Sequence, residues 1–213
     1  MKRLIIPYHT KTVYPNTLQL LKELQALDCL KMFSLAGEIG LSLYYGHRIS
    51  VDIDLFYNQA FNVDSVILEI NAFFKNEDVS IINKEINSIL LSINDVKIDI
   101  LAHQYPKIKS SNIYDNIKLY AQEDIIAMKL DALVNRSTKK DFFDIYEVLQ
   151  VFSLQDILSF FVLKYKNNDP LYIVRSLVYF EDAEKDLEPI MIKKYDWEEV
   201  KSYLNKKIAE YLS

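Results

Sequence analysis

The stretch "GHRISVDIDLF", Gly46–Phe56, sets two aspartates one residue apart in an apolar run, just after a Gly-His-Arg turn. Side chains in a strand alternate between its faces, so Val51, Ile53 and Leu55 share one side and Asp52, Asp54 and Phe56 the other. Burial accounts for the first set and gives no reason for the two carboxylates. Acids held so close repel, and one takes up a proton unless a cation neutralises the pair. Magnesium suits such a site, because it takes oxygen ligands and leaves positions open for phosphates and water. Asp99 is the natural third ligand, as the one acid interrupting the apolar strand "VKIDILA" (Val96–Ala102). Carboxylates on neighbouring strands can hold two metals about 3.5–4 Å apart, the arrangement for in-line phosphoryl or nucleotidyl displacement. The competing reading makes Asp52 and Asp54 strand-edge charges, or partners of Arg48. Gly37 weighs against it. This glycine lies fifteen residues before Asp52, where a strand meets a helix whose N–H groups and dipole favour a phosphate.

Working outward, "NTLQLLKELQA" reads as a helix over Asn16–Ala26 behind an Asn16 or Thr17 cap. "MFSLAG" is a short strand ending at Gly37, and "EIGLSLYYG" a short helix closed by Gly46. A helix follows at about 65–75. Three β-type runs come next, "VSIINKEI", "SILLSIN" and "VKIDILA", broken near Asn87 and at Asn94-Asp95 by turn-forming residues. A polar segment with Pro106, Ser110 and Ser111 then leads into helical text, with helices expected over 122–135, 139–151, 154–167, 170–180 and 196–212. Thr138 and Ser153 stand near two of the starts. The expected fold is α+β: a mixed sheet with flanking helices over residues 1–118, then an all-helical part over 119–213.

The bulk chemistry narrows the function. The chain has 213 residues, half of them hydrophobic, enough for a substantial core. Its net charge is −5, with 25 Lys and Arg against 30 Asp and Glu, so it is no generic basic nucleic-acid binder. Neither half reverses that balance, so any phosphate recognition must be local. One cysteine, Cys29, excludes an internal disulfide framework and a cysteine-based zinc cluster. No apolar run approaches the ~20 residues of a membrane span, and the opening run before Pro7 is too short for a secretory leader. A cytoplasmic protein with no membrane contact is expected. His9 and His103 lack partner spacing for zinc and read as structural. His47 reads as a ligand contact or a stay for the turn, and Ser50 as support for the strand entry. Tyrosines such as Tyr44, Tyr45 and Tyr146 read as packing. Lys129 and Arg136, seven apart on one expected helix, face the same side, as do Asp141 and Asp144 on the next.

"FSLAGEIGLSLYYGHRISVDIDLF" resembles the signature of nucleotidyltransferase toxins of the abortive-infection AbiEii/AbiGii type, within the DNA polymerase β-like minimal nucleotidyltransferase superfamily. "KLDALVNRSTKKDFFDIYEVL" resembles that family's second block, a lysine on one helix and a basic-Asp-x-x-Asp cluster on the next. The tail "SLVYFEDAEKDLEPIMIKKYDWEEVKSYLN" is similar to family tails. Position by position, the resemblance makes Gly37 the phosphate-loop glycine, and Asp52, Asp54 and Asp99 the catalytic metal carboxylates. It places Lys129 near the nucleotide's phosphates, and matches Lys140, Asp141 and Asp144 to the basic-Asp-x-x-Asp cluster. On this reading Lys129 and Asp141 act in catalysis, and Glu38, Arg48, Lys140 and Asp144 belong to the nucleotide site.

The implied activity is Mg²⁺-dependent transfer of a nucleotidyl group from an NTP to an acceptor. The implied acceptor is an RNA, at the 3′ end of tRNA, and the implied partner is a separate antitoxin or repressor. One departure stands out. The superfamily's loop is usually Gly-Gly or Gly-Ser, whereas this chain has Gly37-Glu38-Ile39. A glutamate there puts a negative charge near phosphate oxygens, at about 4 kcal/mol per like-charge contact at ~4 Å and an effective dielectric near 20. Two readings stay open: an active nucleotidyltransferase, and a nucleotidyltransferase fold that has lost turnover through Glu38 and binds a nucleotide or a partner.

Overall fold

In the computed structural model, which describes residues 8–166 and 169–213, the alternating runs become a single mixed sheet. Its strands are β1 (Ser34–Leu35), β2 (Ile53–Tyr57), β3 (Val79–Glu85), β4 (Ser88–Ile93), β5 (Val96–Ala102), β6 (Asn112–Tyr114) and β7 (Ile117–Leu119). They lie in the order β3-β4-β5-β2-β1-β7-β6. β2 runs parallel to β5, β1 parallel to β7, and the other neighbours are antiparallel. The opening apolar run before Pro7 lies outside the described residues, as does Asn167 at the end of the helix expected over 154–167.

The period-two pattern explains the sheet's sidedness. Ile53 and Leu55 of β2, Ile89, Leu91 and Ile93 of β4, and Ile98 and Ile100 of β5 are all buried on one face. Each such side chain contributes about 1.5–3 kcal/mol on leaving water. The other face of β2 and β5 carries the acids. The turns follow their residues: Asn87, Asn94 and Asp95 all have positive φ, which Asn and Asp tolerate better than most.

The helices are α1 (Pro15–Ala26), α2 (Gly37–Tyr45), α3 (Val63–Phe73), α4 (Gln122–Arg136), α5 (Lys139–Val148), α6 (Leu154–Lys164), α7 (Leu171–Ser176) and α8 (Trp197–Leu212). Both later caps form as expected. Thr138 and Ser153 make capping boxes with Asp141 and Asp156, each satisfying N–H groups that a helix start leaves unpaired. α4 packs against α2, α5, α6 and α7 and so joins the helical text to the sheet.

Three details differ from the sequence reading. α1 is not capped by Asn16 or Thr17: it starts with Pro15, whose missing N–H costs nothing at the first position. The segment read as polar connection contains the β6–β7 hairpin, turned at Asp115-Asn116, both at positive φ. Its strands are three residues each, too short for a periodicity to register. The division expected after residue 118 therefore falls inside β7, and the all-helical text begins at Gln122.

Candidate active site

Between the acid face of β2 and β5 and the side of α4 lies a cavity of about 250 Å³. Asp52, Asp54 and Phe56 line it from β2 and the residue before it, Lys97 and Asp99 from β5. Gly37 and Glu38 close it at the start of α2, and Lys129, Arg136 and Lys140 come from α4 and α5. Asp54 and Asp99 are directly opposite each other in the parallel register. The strand reading placed these acids together, and they are together.

Gly37 is there for a steric reason. Its φ is +57°, and a Cβ on it would sit 1.8 Å from Asp54 Oδ2. Only the missing side chain lets the α2 start lie against this carboxylate. The backbone locks the same contact, because Ala36 N–H donates to Asp54 O at 2.9 Å. Ala36 caps α2 without a side-chain hydrogen bond, so the positive start of the helix, at Gly37 and Glu38, borders the cavity without a side-chain cap.

The acid half is electrostatically unbalanced. Burial pushes the Asp54 carboxyl up to about 7, and the charges of Glu38, Asp99 and Asp52 push the same way against Lys129. Burial also raises Asp99, with Lys97 pulling it down. Nearby carboxylates with no adequate counter-charge, all hard oxygen donors, fit a divalent cation. Among the described residues no three His, Cys, Asp or Glu side chains converge closely enough to enclose a metal alone. Magnesium needs no such cage, since it is held by one or two carboxylates plus substrate phosphates and water.

The basic half is the opposite case, a closed network. Asp144, with no exposed surface, accepts from Arg48 Nε at 2.6 Å and Arg48 Nη2 at 2.9 Å, and pairs with Lys129 Nζ at 2.7 Å. His47 Nε2 meets the same carboxylate at 2.6 Å. Asp141 accepts from Lys129 at 2.9 Å and from Arg136 at 2.9 and 3.0 Å, while its second oxygen closes the Thr138 capping box. Burial alone would raise both aspartates, but Arg48 and Lys129 hold Asp144, and Lys129 and Arg136 hold Asp141, well below the usual carboxylate range. Lys129 is buried, which would lower it, yet Asp144, Asp141 and Glu38 keep it above the ordinary lysine value.

Glu38 reaches into this network from the phosphate loop. Its carboxylate lies 3.2 Å from Arg48, 2.9 Å from Arg136, 2.7 Å from Lys140 and 3.9 Å from Lys129. Burial would raise it; Lys129 and Arg48 hold it below the ordinary value. The charge is thus neither bare nor turned out to solvent.

Several side chains sit elsewhere than the sequence reading put them. Arg48 was expected at the nucleotide, and Asp141 and Asp144 either near the reacting groups or as supports that orient Lys129 or Lys140. All three lie behind the cavity wall, at most 2% exposed, and act on Lys129, Arg136 and Glu38. Arg48 does not pair with Asp52 or Asp54, its alternative expectation; its carboxylate partners are Asp144 and Glu38. His47 is a stay for the turn. Ser50 supports the strand entry through its backbone N–H, which donates to Thr12 O, while its hydroxyl has no partner among the described residues. Tyr44, Tyr45 and Tyr146 are buried packing, as read.

Sequence reasoning missed Phe56, Lys97, Met128, Ala132 and Ile125 as lining, though the strand period placed Phe56 and Lys97 on the acid face. It also missed a strap. Residues 190–193 lie on the Gly-His-Arg turn: Ile49 N–H donates to Ile190 O, and Ile192 and Lys193 N–H donate to His47 O. Lys193 then pairs with Glu147 of α5. No motif marks that contact, because backbone carries it.

A mixed sheet bearing paired aspartates, with a glycine-started helix over them and a buried lysine opposite, defines the class as nucleotidyltransferase. Residues 19–206 match the family described as nucleotidyl transferase AbiEii toxin, type IV toxin–antitoxin system, and the chain belongs to that family. It is similar to uncharacterized protein aq_aa25 of Aquifex aeolicus (strain VF5), 29% identical over 202 residues, covering 90% of this chain and 94% of the relative. Two solved structures share the fold. JHP933 from Helicobacter pylori is 23% identical, with a TM-score of 0.58 over 95% of this chain and 89% of its own. MenT4, nucleotidyltransferase toxin Rv2826c from Mycobacterium tuberculosis H37Rv, is 12% identical, with a TM-score of 0.57 over 98% and 89%. Among the described residues no helix is long and apolar enough to cross a membrane.

Proposed function

We propose that this chain is an active toxin that transfers a nucleotidyl group from an NTP to a hydroxyl acceptor, the 3′ end of a tRNA. The observation that carries the reading is the contact of Asp54 with Gly37: a partly buried carboxyl raised to about 7 under a helix start that only glycine allows to approach. Asp52 and Asp54 would hold Mg²⁺, with Asp99 as the third acid. Bound there, magnesium supplies charge neutralisation on the triphosphate and a lowered pKa for the attacking hydroxyl. The chain's own residues do the rest. The α2 N–H groups and Lys129 position the phosphates, with Arg136 and Lys140 at the rim. Asp99 receives the proton of the acceptor hydroxyl as that oxygen bonds to the α-phosphorus and pyrophosphate leaves. Asp141 and Asp144 act one step back, by fixing Lys129. The family implies a separate antitoxin, and a cytoplasmic site of action is consistent with an RNA acceptor.

A second reading has its own observation: with Glu38 paired to Arg136 and Lys140, the fold could persist as a binding module without turnover. Incubating the purified protein with Mg²⁺, each labelled NTP and total RNA separates the two. Label in RNA, lost in Asp54→Asn, is the expected result; no incorporation with any nucleotide favours the binding module.

A further inference from the structure

Glu38 stands in the loop where a polyphosphate would be received, and its partners are the cations such a ligand would use. The four fall into two pairs. Arg48 and Lys129 have side chains only 3% exposed and are committed to Asp144 and Asp141 whatever Glu38 does. Arg136 and Lys140 are 44% and 35% exposed and line the cavity, and Lys140 has Glu38 as its ion-pair partner among the described residues. Both meet Glu38 at the mouth of the site: Lys140 is free to change partners, whereas Arg136 also keeps its two hydrogen bonds to Asp141 and has only its Glu38 contact to exchange. Glu38 itself is carried by the first turn of a helix on a side chain with three rotatable bonds. It can swing without moving Gly37 or Asp54.

We propose that Glu38 is a specificity-determining residue: an internal anion, seated on Arg136 and Lys140, that only a ligand with several contiguous phosphates displaces. The inference rests on the nucleotidyltransferase reading of this cavity and deepens it. A single phosphate offers no more to the outer cations than the carboxylate already does. A triphosphate spans both the α2 N-terminus and the outer pair, so it recovers the contacts Glu38 gives up and adds charge-assisted hydrogen bonds. Discrimination comes from making the wrong ligand compete with a group already in place. Glu38 on this account does not abolish the site; it sets the least charge a ligand must bring.

The test is calorimetric titration of the full chain, without metal, with inorganic tripolyphosphate and with orthophosphate. The native protein should bind tripolyphosphate and show no saturable orthophosphate binding. Glu38→Gln, which keeps the shape and removes the charge, should bind tripolyphosphate about tenfold tighter or better, and should now bind orthophosphate. Glu38→Ser should shift the same way, and it carries the test where the glutamine variant does not fold. Unchanged or weaker tripolyphosphate binding in the folded variants overturns the proposal, as does saturable orthophosphate binding to the native protein. Labelled transfer into RNA without any Glu38 effect on tripolyphosphate sinks this inference and leaves the enzyme reading standing. The Glu38 effect without transfer under any nucleotide does the reverse.

Discussion

The two halves of the cavity hold their charges in opposite ways. On the strand side Asp52, Asp54 and Asp99 line one wall of the cavity, Lys97 relieving Asp99 and Lys129 only partly relieving Asp54, which is pushed up to about 7. On the helix side each acid is matched: Asp144 has Arg48, Lys129 and His47, and Asp141 has Lys129 and Arg136. One half leaves its carboxylates under-neutralised, and the other is matched within the chain. Strongly perturbed carboxylates cluster at functional sites, whereas buried charges matched by close partners are the usual structural solution.

The sharpest way to break this contrast is to remove the hub. Asp144→Ala leaves Arg48 and Lys129 buried without their main partner, so a loss of about 3–5 kcal/mol in urea unfolding is expected. A loss under about 1 kcal/mol would mean the network is not the prop described here. Next comes Gly37→Ala. The positive φ and the close approach of Asp54 predict a cost of about 1–3 kcal/mol and a displaced carboxylate, read as lower melting temperature together with lost transfer. Retained activity would show that the contact with Asp54 is dispensable.

Asp54→Asn should act with the opposite sign. A carboxyl raised in the folded state contributes stability while protonated; that contribution is complete below the ordinary carboxylate range and is lost as pH rises through about 7. Without metal, the native melting temperature should therefore fall between pH 5 and 8 more steeply than that of Asp54→Asn, about 1 kcal/mol or more separating them at pH 8. Transfer should vanish in the variant. Parallel pH profiles would remove Asp54 as the strained group. On the acid side the sign reverses, because Asp144 and Asp141 are held low and their contribution disappears as pH drops below the ordinary carboxylate range. The smallest effect is expected at the strap. Lys193→Ala breaks a half-exposed pair with Glu147 but leaves the backbone bonds to His47, so stability should change by less than about 1 kcal/mol with nucleotide affinity unaltered. A larger change would mean the strap is held by charge and not by backbone.

The acid half was legible in the sequence, and the basic half only in part. Strand alternation has a period of two, so "SVDIDLF" and "VKIDILA" fix which residues share a face before any folding is known. Pairing β2 with β5 in parallel register then brings Asp54 opposite Asp99. Gly37 and Gly46 were legible for the same local reason, since each stands where backbone conformation excludes other residues. The helix spacing that paired Lys129 with Arg136 was likewise local, and both do meet Asp141. None of this says what a long side chain touches across elements.

That is why Glu38 came out of the sequence as a charge against phosphate, with Arg48 at the nucleotide or, alternatively, paired with the strand acids. Both readings were settled by contacts between residues roughly a hundred positions apart: Glu38 with Arg136 and Lys140, Arg48 with Asp144. The β6–β7 hairpin and the strap over the Gly-His-Arg turn belong with them, since short strands and backbone hydrogen bonds leave little mark on composition. Local periodicity and steric exclusion, which act between neighbours in the chain, let the sequence alone determine strands β1 to β5, their acid face and the glycine that starts α2. Which charges are strained and which are satisfied was decided only by tertiary structure, because the energy of a buried charge depends on the partners that packing brings within a few ångströms of it.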